Sequence, residues 1–272
     1  MNQWRCKVML WCVLWVMTTF SGAQGASQTS DTPPLTGTLT VFAAASLTES
    51  FTVIGKRLES HHPNLRVLFN FAGSQALRTQ LEQGAPADVF ASANELQMAL
   101  AKQSGVVQDK MPIFIKNRLV LIVPRKNPGQ VMALRDLATS GLKLVLAGRH
   151  VPVGTYSRQV LRRAVASYGD DFEARVLQNL VSEEHNVKQV VTKILLGEAD
   201  AGMAYVSDIG SQIAGELRTI AIPEAYNLIA NYPIAVVKNS RQRAAAEAFI
   251  DFVHSDQGQA LMQSYNFVPL VE

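Results

Sequence analysis

Residues 41–47 read Val-Phe-Ala-Ala-Ala-Ser-Leu. Val41 and Phe42 continue the run "TLTVFAA", whose β-branched and apolar residues suit a buried strand, and "LTESFTVIGKRLES" then places Leu47, Phe51, Ile54 and Leu58 at helical spacing. A strand therefore passes into a helix through three alanines and a serine. Two readings fit this junction. In the first, Ser46 and Glu49 form a capping box, "SLTE", that satisfies the first NH groups of the helix. In the second, Ala43, Ala44 and Ala45 keep bulky side chains away, so that the helix start and the Ser46 hydroxyl stay open to an anion.

The junction recurs along the chain. In "NFAGSQALRTQ" Gly73 and Ser74 again join a strand to a helix through small residues; in "AGRHVPVGTYSRQ" the join runs through Val153 and Gly154; and "SEEHNVKQVV" starts a helix at Asn186 and Val187. Short β-branched runs alternating with helical periodicity predict stacked βαβ units. Two apolar stretches framed by polar residues, "NRLVLIVPRKN" (117–127) and "NYPIAVVKNS" (231–240), break that rhythm. The expected architecture is α/β, with two lobes of mostly parallel sheet joined by these two crossover strands as a hinge. Lobe 1 spans 38–120 and 236–272, the latter with two helices in "RAAAEAFIDFVHSDQGQALMQSYNF", and lobe 2 spans 121–235. Four helix starts then face one cleft at the carboxyl ends of the strands.

Composition narrows the function. The 272 residues, 48% hydrophobic and 17% charged, suffice for two lobes of ordinary size. The first residues carry Arg5 and Lys7, an apolar stretch from Val8 to Phe20 and the small residues Ser21, Gly22 and Ala23, the pattern of a cleavable signal peptide over 1–23. A polar, proline-bearing leader over 24–37 follows, and the expected location is the periplasm. Cys6, Cys12 and all three tryptophans lie inside the signal segment, so the mature chain is expected to lack cysteine chemistry altogether. Cys12 lacks the small residues that precede a lipid-attachment cysteine, and no later stretch approaches the ~18 apolar residues of a membrane span. The formal charge of +3 loses two units with Arg5 and Lys7, and the remaining basic residues are scattered, which argues against a nucleic-acid partner.

Taken in order, "TVFAAASLTESF", "FAGSQALRTQLEQGAPADVFASAN", "HVPVGTYS", "GMAYVSD" and "YPIAVV" resemble the periplasmic molybdate-binding proteins of bacterial ABC importers, over about residues 38 to 270. The resemblance implies a type II periplasmic-binding fold that closes on a dehydrated tetrahedral oxyanion, molybdate or tungstate. It implies no catalysis and no cofactor, with molybdenum held only as the oxyanion. The partners it implies are the permease and ATPase subunits of an importer, for a monomeric binding protein. Family ligand positions carry over to the hydroxyls of Ser46, Ser74 and Tyr205 and to the backbone NH groups of Val153 and Val187, with Asn186 as the alternative at the fourth junction. Gly73 departs from the serine of many relatives, and Val153 from a frequent alanine.

Other readings stand beside these. Arg149 and His150 either draw anions to the cleft mouth or are solvated loop residues, and Asp88 is expected to hold its loop through backbone NH groups. Sulfate, phosphate or ferric ion are alternative ligands, although a ferric site needs paired tyrosines and "AYVSD" offers one. An enzyme on the same fold is the reading from another class; the Thr-Arg-Phe motif of the similar dehydratases of aromatic biosynthesis is absent. A regulator's effector module is a further one, and no helix-turn-helix accompanies it. The inferred ligand set contains donors only, so a protonated anion finds no acceptor there.

Overall fold

The strand read from residues 41–44 is β1 (Gly37–Ala44), and the helix after it is α1 (Thr48–His61), reached through a 3-10 turn at Ala45–Leu47. The structure, a computed structural model, describes Met1 and residues 34–270; the signal segment expected over 1–23 and the leader up to 33 lie outside the described residues. β2 (Leu65–Ala72), α2 (Ser74–Glu82), β3 (Val89–Ala91) and α3 (Glu95–Gln103) complete the first run of units. β4 (Ile113–Pro124) leads into β5 (Leu144–Ala147), α4 (Pro152–Tyr168), α5 (Phe172–Gln178), β6 (Leu180–Glu184), α6 (Val187–Leu195), β7 (Ala201–Tyr205) and β8 (Leu217–Ala221). β9 (Ile229–Val236) returns the chain, and α7 (Arg243–His254) and α8 (Asp256–Ser264) end it. Periodicity does not reveal α5, β6 or β8: each is short, no residue of β6 and one of β8 is buried, and this leaves little apolar signal.

Strand order is β2-β1-β3-β9-β4-β7-β5-β6, with β8 against β4. β1 runs parallel to β2 and β3, and β5 runs parallel to β6 and β7. Between these two parallel sets stand β4 and β9, antiparallel to each other over Ile113 to Arg118, after which β9 pairs with β3 and β4 with β7 and β8. The two apolar stretches that interrupt the sequence rhythm are thus the only strands shared by both halves among the described residues.

Each half covers its sheet with the helix faces the sequence marks. Leu47, Phe51, Ile54 and Leu58 are all buried, and Phe51 packs at 5.7 Å from Phe114 of β4 and 5.2 Å from Phe249 of α7, which ties the returning carboxyl-terminal helices to the first half. In the other half Val160 and Leu161 of α4 and Val190 and Ile194 of α6 are fully buried, as are Leu146 and Met203 of the sheet. Asp88 has the structural role expected of it: Oδ2 accepts from the Thr40 NH at 2.8 Å, and Oδ1 accepts from Ser240 Oγ at 2.7 Å and the Gln242 NH at 3.2 Å.

The start of α4 sits unusually close to the end of β5. A Cβ on Gly154 would lie 2.2 Å from the Gly148 carbonyl oxygen and 2.3 Å from that of Ala147. Arg158 clamps the same corner, its Nη1 donating to the carbonyls of Ala147 at 2.9 Å and Gly154 at 3.0 Å. The backbone cannot yield here without shifting α4. Gly154→Ala is therefore expected to cost roughly 1–3 kcal/mol by overpacking, a fall in melting temperature of about 2–4 °C per kcal/mol. Gly210→Ala, where a Cβ meets nothing within 4 Å, should stay within about 0.5 kcal/mol of the parent. Thermal melts of the two variants check this; equal melting temperatures would contradict the packing argument.

Candidate functional site

β1 and β2 pair in register up to Ala44 and Ala72, so the turns that follow them start side by side. In the facing half Ala147 of β5 pairs with Glu184 of β6, and β7 ends at Tyr205. The carboxyl ends of these strands meet at one cavity of about 10 Å³, which admits a single small compact group. One wall is Ala44, Ala45, Ala72, Gly73 and Ala93 with Ser46 and Ser74; the other is Val151, Pro152, Val153, Asn186, Val187 and Tyr205. All five residues singled out from the sequence line it, and none of the lining residues carries a formal charge.

The capping-box reading of "SLTE" does not hold. Ser46 lies within the 3-10 turn, no side chain caps that turn or α1, and Glu49 turns away to the ammonium of Lys188 at 2.8 Å. Ser46 Oγ instead lies 3.0 Å from the hydroxyl of Tyr232. Ser74 is likewise no cap: Gly73 holds the N-cap position of α2, and Ser74 Oγ accepts from the Ala93 NH at 3.0 Å. That bond uses a lone pair of Ser74 and leaves its proton free to donate.

On the other wall, α4 begins with Val151 at the N-cap and Pro152 next, so the cap position has no side-chain acceptor and the first helical residue has no NH. The Val153 NH is the first donor of that helix, and no side chain caps the helix start. At α6 the two alternatives separate by role: Asn186 is the N-cap, its Oδ1 accepting from the Gln189 NH at 3.1 Å, whereas Val187 is the first helical residue, with its NH at the free end. Tyr205 is buried and its hydroxyl has no hydrogen-bond partner. An unpartnered buried hydroxyl costs about 1–3 kcal/mol, which a ligand oxygen in the cavity would relieve.

A second tyrosine, absent from the sequence-based site, stands beside the first. The Tyr232 ring lies 5.8 Å from that of Tyr205, edge to face. Burial pushes both phenols well above their ordinary value, so without a metal both are protonated at neutral pH. The signal for Tyr232 was a lone polar tip in the apolar stretch "NYPIAVV".

Contacts across the cavity hold the two walls together. Gln75 Nε2 donates to the His185 carbonyl at 3.0 Å, and Gln97 Nε2 to that of His150 at 3.2 Å. Gly73, whose missing hydroxyl set it apart, has a steric reason: a Cβ there would lie 2.5 Å from the His185 carbonyl oxygen. Lys188 bridges Glu49 and, at 3.5 Å, the buried carboxylate of Asp208. Burial pushes the Asp208 carboxyl up to about 6, against the pull of Lys188 and of the Tyr205 NH, so it is still ionised at neutral pH. Burial pulls the Lys188 ammonium down, but Asp208 and Glu49 outweigh it and hold it above the ordinary lysine value. Arg149 and His150 are exposed and outside the cavity wall.

Comparison with known proteins gives the arrangement a family. Residues 39–268 match the family described as bacterial extracellular solute-binding protein. The molybdate-binding protein ModA of Mycobacterium tuberculosis is 36% identical over 229 residues, 84% of each chain. Among solved structures, the periplasmic molybdate-binding protein of Azotobacter vinelandii superposes with a TM-score of 0.73 at 21% identity, covering 85% of this chain and 98% of that one. The sulfate-binding protein SubI of Mycobacterium tuberculosis shares the fold at a TM-score of 0.78 and 18% identity, covering 86% and 87%. With two parallel strand sets joined into one sheet by a pair of shared strands, a cavity at their carboxyl ends and a family match across nearly all the described residues, the chain belongs to the bacterial extracellular solute-binding proteins.

Proposed function

We propose that this protein captures molybdate, and with it tungstate, between its lobes in the periplasm and delivers the oxyanion to the permease and ATPase subunits of an ABC importer. The observation that carries the reading is an uncharged cavity lined by Ser46, Ser74, Val153, Val187 and Tyr205, with the Tyr205 hydroxyl unpartnered. The relatives named as molybdate-binding proteins support the choice of ligand. The protein acts by binding alone, as a monomer and without a cofactor, and the relatives it matches are binding proteins.

Burying a dianion without a cation is costly, since an isolated ion in a low-dielectric site is strongly disfavoured. Hydrogen bonds to a charged group contribute on the order of 1.5–3 kcal/mol each, and the helix starts add their dipoles. Neutral donors also let the ligand leave once the lobes part, which a fixed cation would oppose. The lobes, 38–120 with 236–272 and 121–235, open and close about β4 and β9, and the transporter reads the closed form.

Ser74→Ala and Tyr205→Phe each remove one donor to the anion. Each is expected to weaken molybdate binding by about 1.5–3 kcal/mol, roughly 10- to 150-fold. Titration calorimetry measures the loss; unchanged affinity in both variants would remove the site from the proposal. Selectivity follows from the donors as well. Hydrogen phosphate carries a proton for which the cavity lining holds no carboxylate acceptor, and sulfate, though fully deprotonated, is too small to reach donors spaced around molybdate. Competition titrations should rank molybdate and tungstate together, sulfate far weaker and phosphate weakest. Sulfate within tenfold of molybdate, about 1.4 kcal/mol, would move the assignment to a sulfate-type binding protein.

A further inference from the structure

Whether Ser46 helps or hinders an oxyanion depends on which way its hydroxyl proton points. Its oxygen is 3.0 Å from the hydroxyl of Tyr232, and distance alone allows either to donate. If Ser46 gave its proton to Tyr232, it would show the cavity only lone pairs and repel an anion.

The polarity is set one residue further back, at Asn117 on β4. Its Oδ1 accepts from the Arg118 NH at 3.0 Å, which fixes the orientation of the amide. Its Nδ2 must then donate, and it does so twice, to Ser207 Oγ at 2.8 Å and to the Tyr232 hydroxyl at 3.2 Å. Tyr232 must place its own proton on a neighbouring oxygen, and of Ser46 Oγ and the adjacent Tyr205 hydroxyl only Ser46 Oγ meets it in hydrogen-bond geometry, at 3.0 Å. Asn117 and Tyr232 are completely buried, and neither lines the cavity. Water therefore offers no alternative partner, and the direction of the chain persists.

We infer that Asn117 and Tyr232, on the two shared strands, are positioning residues that fix Ser46 as a hydrogen-bond donor to the bound oxyanion. The inference rests on the proposed oxyanion function and adds to it a device that sits on the hinge strands and reaches the ligand only through Ser46. Because every bond runs toward the cavity, from Asn117 to Tyr232 to Ser46, the arrangement favours a ligand oxygen with no proton and gives one bearing a proton no acceptor at this corner.

A double-mutant cycle on the full mature protein tests it, with molybdate as the probe and calorimetry as the readout. Tyr232→Phe keeps the ring and its packing and is expected to weaken binding about five- to tenfold, the scale of one neutral hydrogen bond. In a Ser46→Ala background the same substitution should cost less than twofold, because the residue through which it acts is gone. Equal losses in both backgrounds would overturn the inference and assign Tyr232 a structural role. If Tyr232→Phe yields no folded protein by thermal melt, Asn117→Ser takes its place in the cycle with the same non-additivity expected and the same overturning result. Failure of the parent protein to bind molybdate would overturn the proposed function and the inference together, whereas molybdate binding with additive losses overturns the inference alone.

Discussion

A backbone NH at the start of a helix can serve a ligand only when no side chain stands in front of it and no cap has already taken it. This constraint organises the cleft. Ala44, Ala45, Ala72 and Gly73 leave two strand ends bare, and the cap positions of Ala44, Gly73 and Val151 offer no side-chain acceptor. Pro152 starts α4 without an NH of its own, and Gly154 lets that helix settle directly on the carbonyls at the end of β5. On the proposed function, small residues are conspicuous in the sequence at these points because the backbone itself is the binding surface. The three hydroxyls that join it are each aimed by a neighbour or left without one: Ser46 by Tyr232, Ser74 by the Ala93 NH, and Tyr205 by none.

Charge is kept at the edge of this arrangement. Lys188, next to Val187, turns to Glu49 and Asp208 rather than into the cavity, and links α1 of one half to α6 and the end of β7 in the other. The Glu49 end of the bridge is half exposed, and pairs of that kind contribute about 0–1 kcal/mol, screened further by salt. The two glutamine-to-carbonyl contacts are of similar scale. On the proposed function, cross-cleft contacts of this size would bias the closed form without fixing it, leaving the ligand's own bonds to decide the population. Gly73 shows how narrow the fit is, since a single methyl there would hold the walls apart.

The sequence reading reached the α/β class, the two shared strands and the five cavity residues, because each rests on a local signal: apolar runs for the strands and small residues at strand-to-helix joins. Of the two readings of the first junction, the capping box for Glu49 fails, since "SLTE" has the spacing of a capping box whether or not the serine lies at the cap position; the 3-10 turn places Ser46 inside the turn, and Glu49 pairs with Lys188. Tyr232 and Asn117 were out of reach for a different reason. Tyr232 lies 186 residues from Ser46 and 115 from Asn117 in sequence, and only the pairing of β4 with β9 brings them to one corner. The steric need for Gly73 is likewise a contact between distant segments, with no local trace.

Anomalous diffraction from crystals grown with molybdate, recorded at the molybdenum edge, tests the central claim most directly. The account predicts one strong peak per chain inside the cavity, ringed by Ser46 Oγ, Ser74 Oγ, the Tyr205 hydroxyl and the NH groups of Val153 and Val187 at hydrogen-bonding distance from the oxyanion, with no lysine or arginine among the contacts. A peak at a basic surface patch, or in the cavity with a cation as its principal partner, would contradict it.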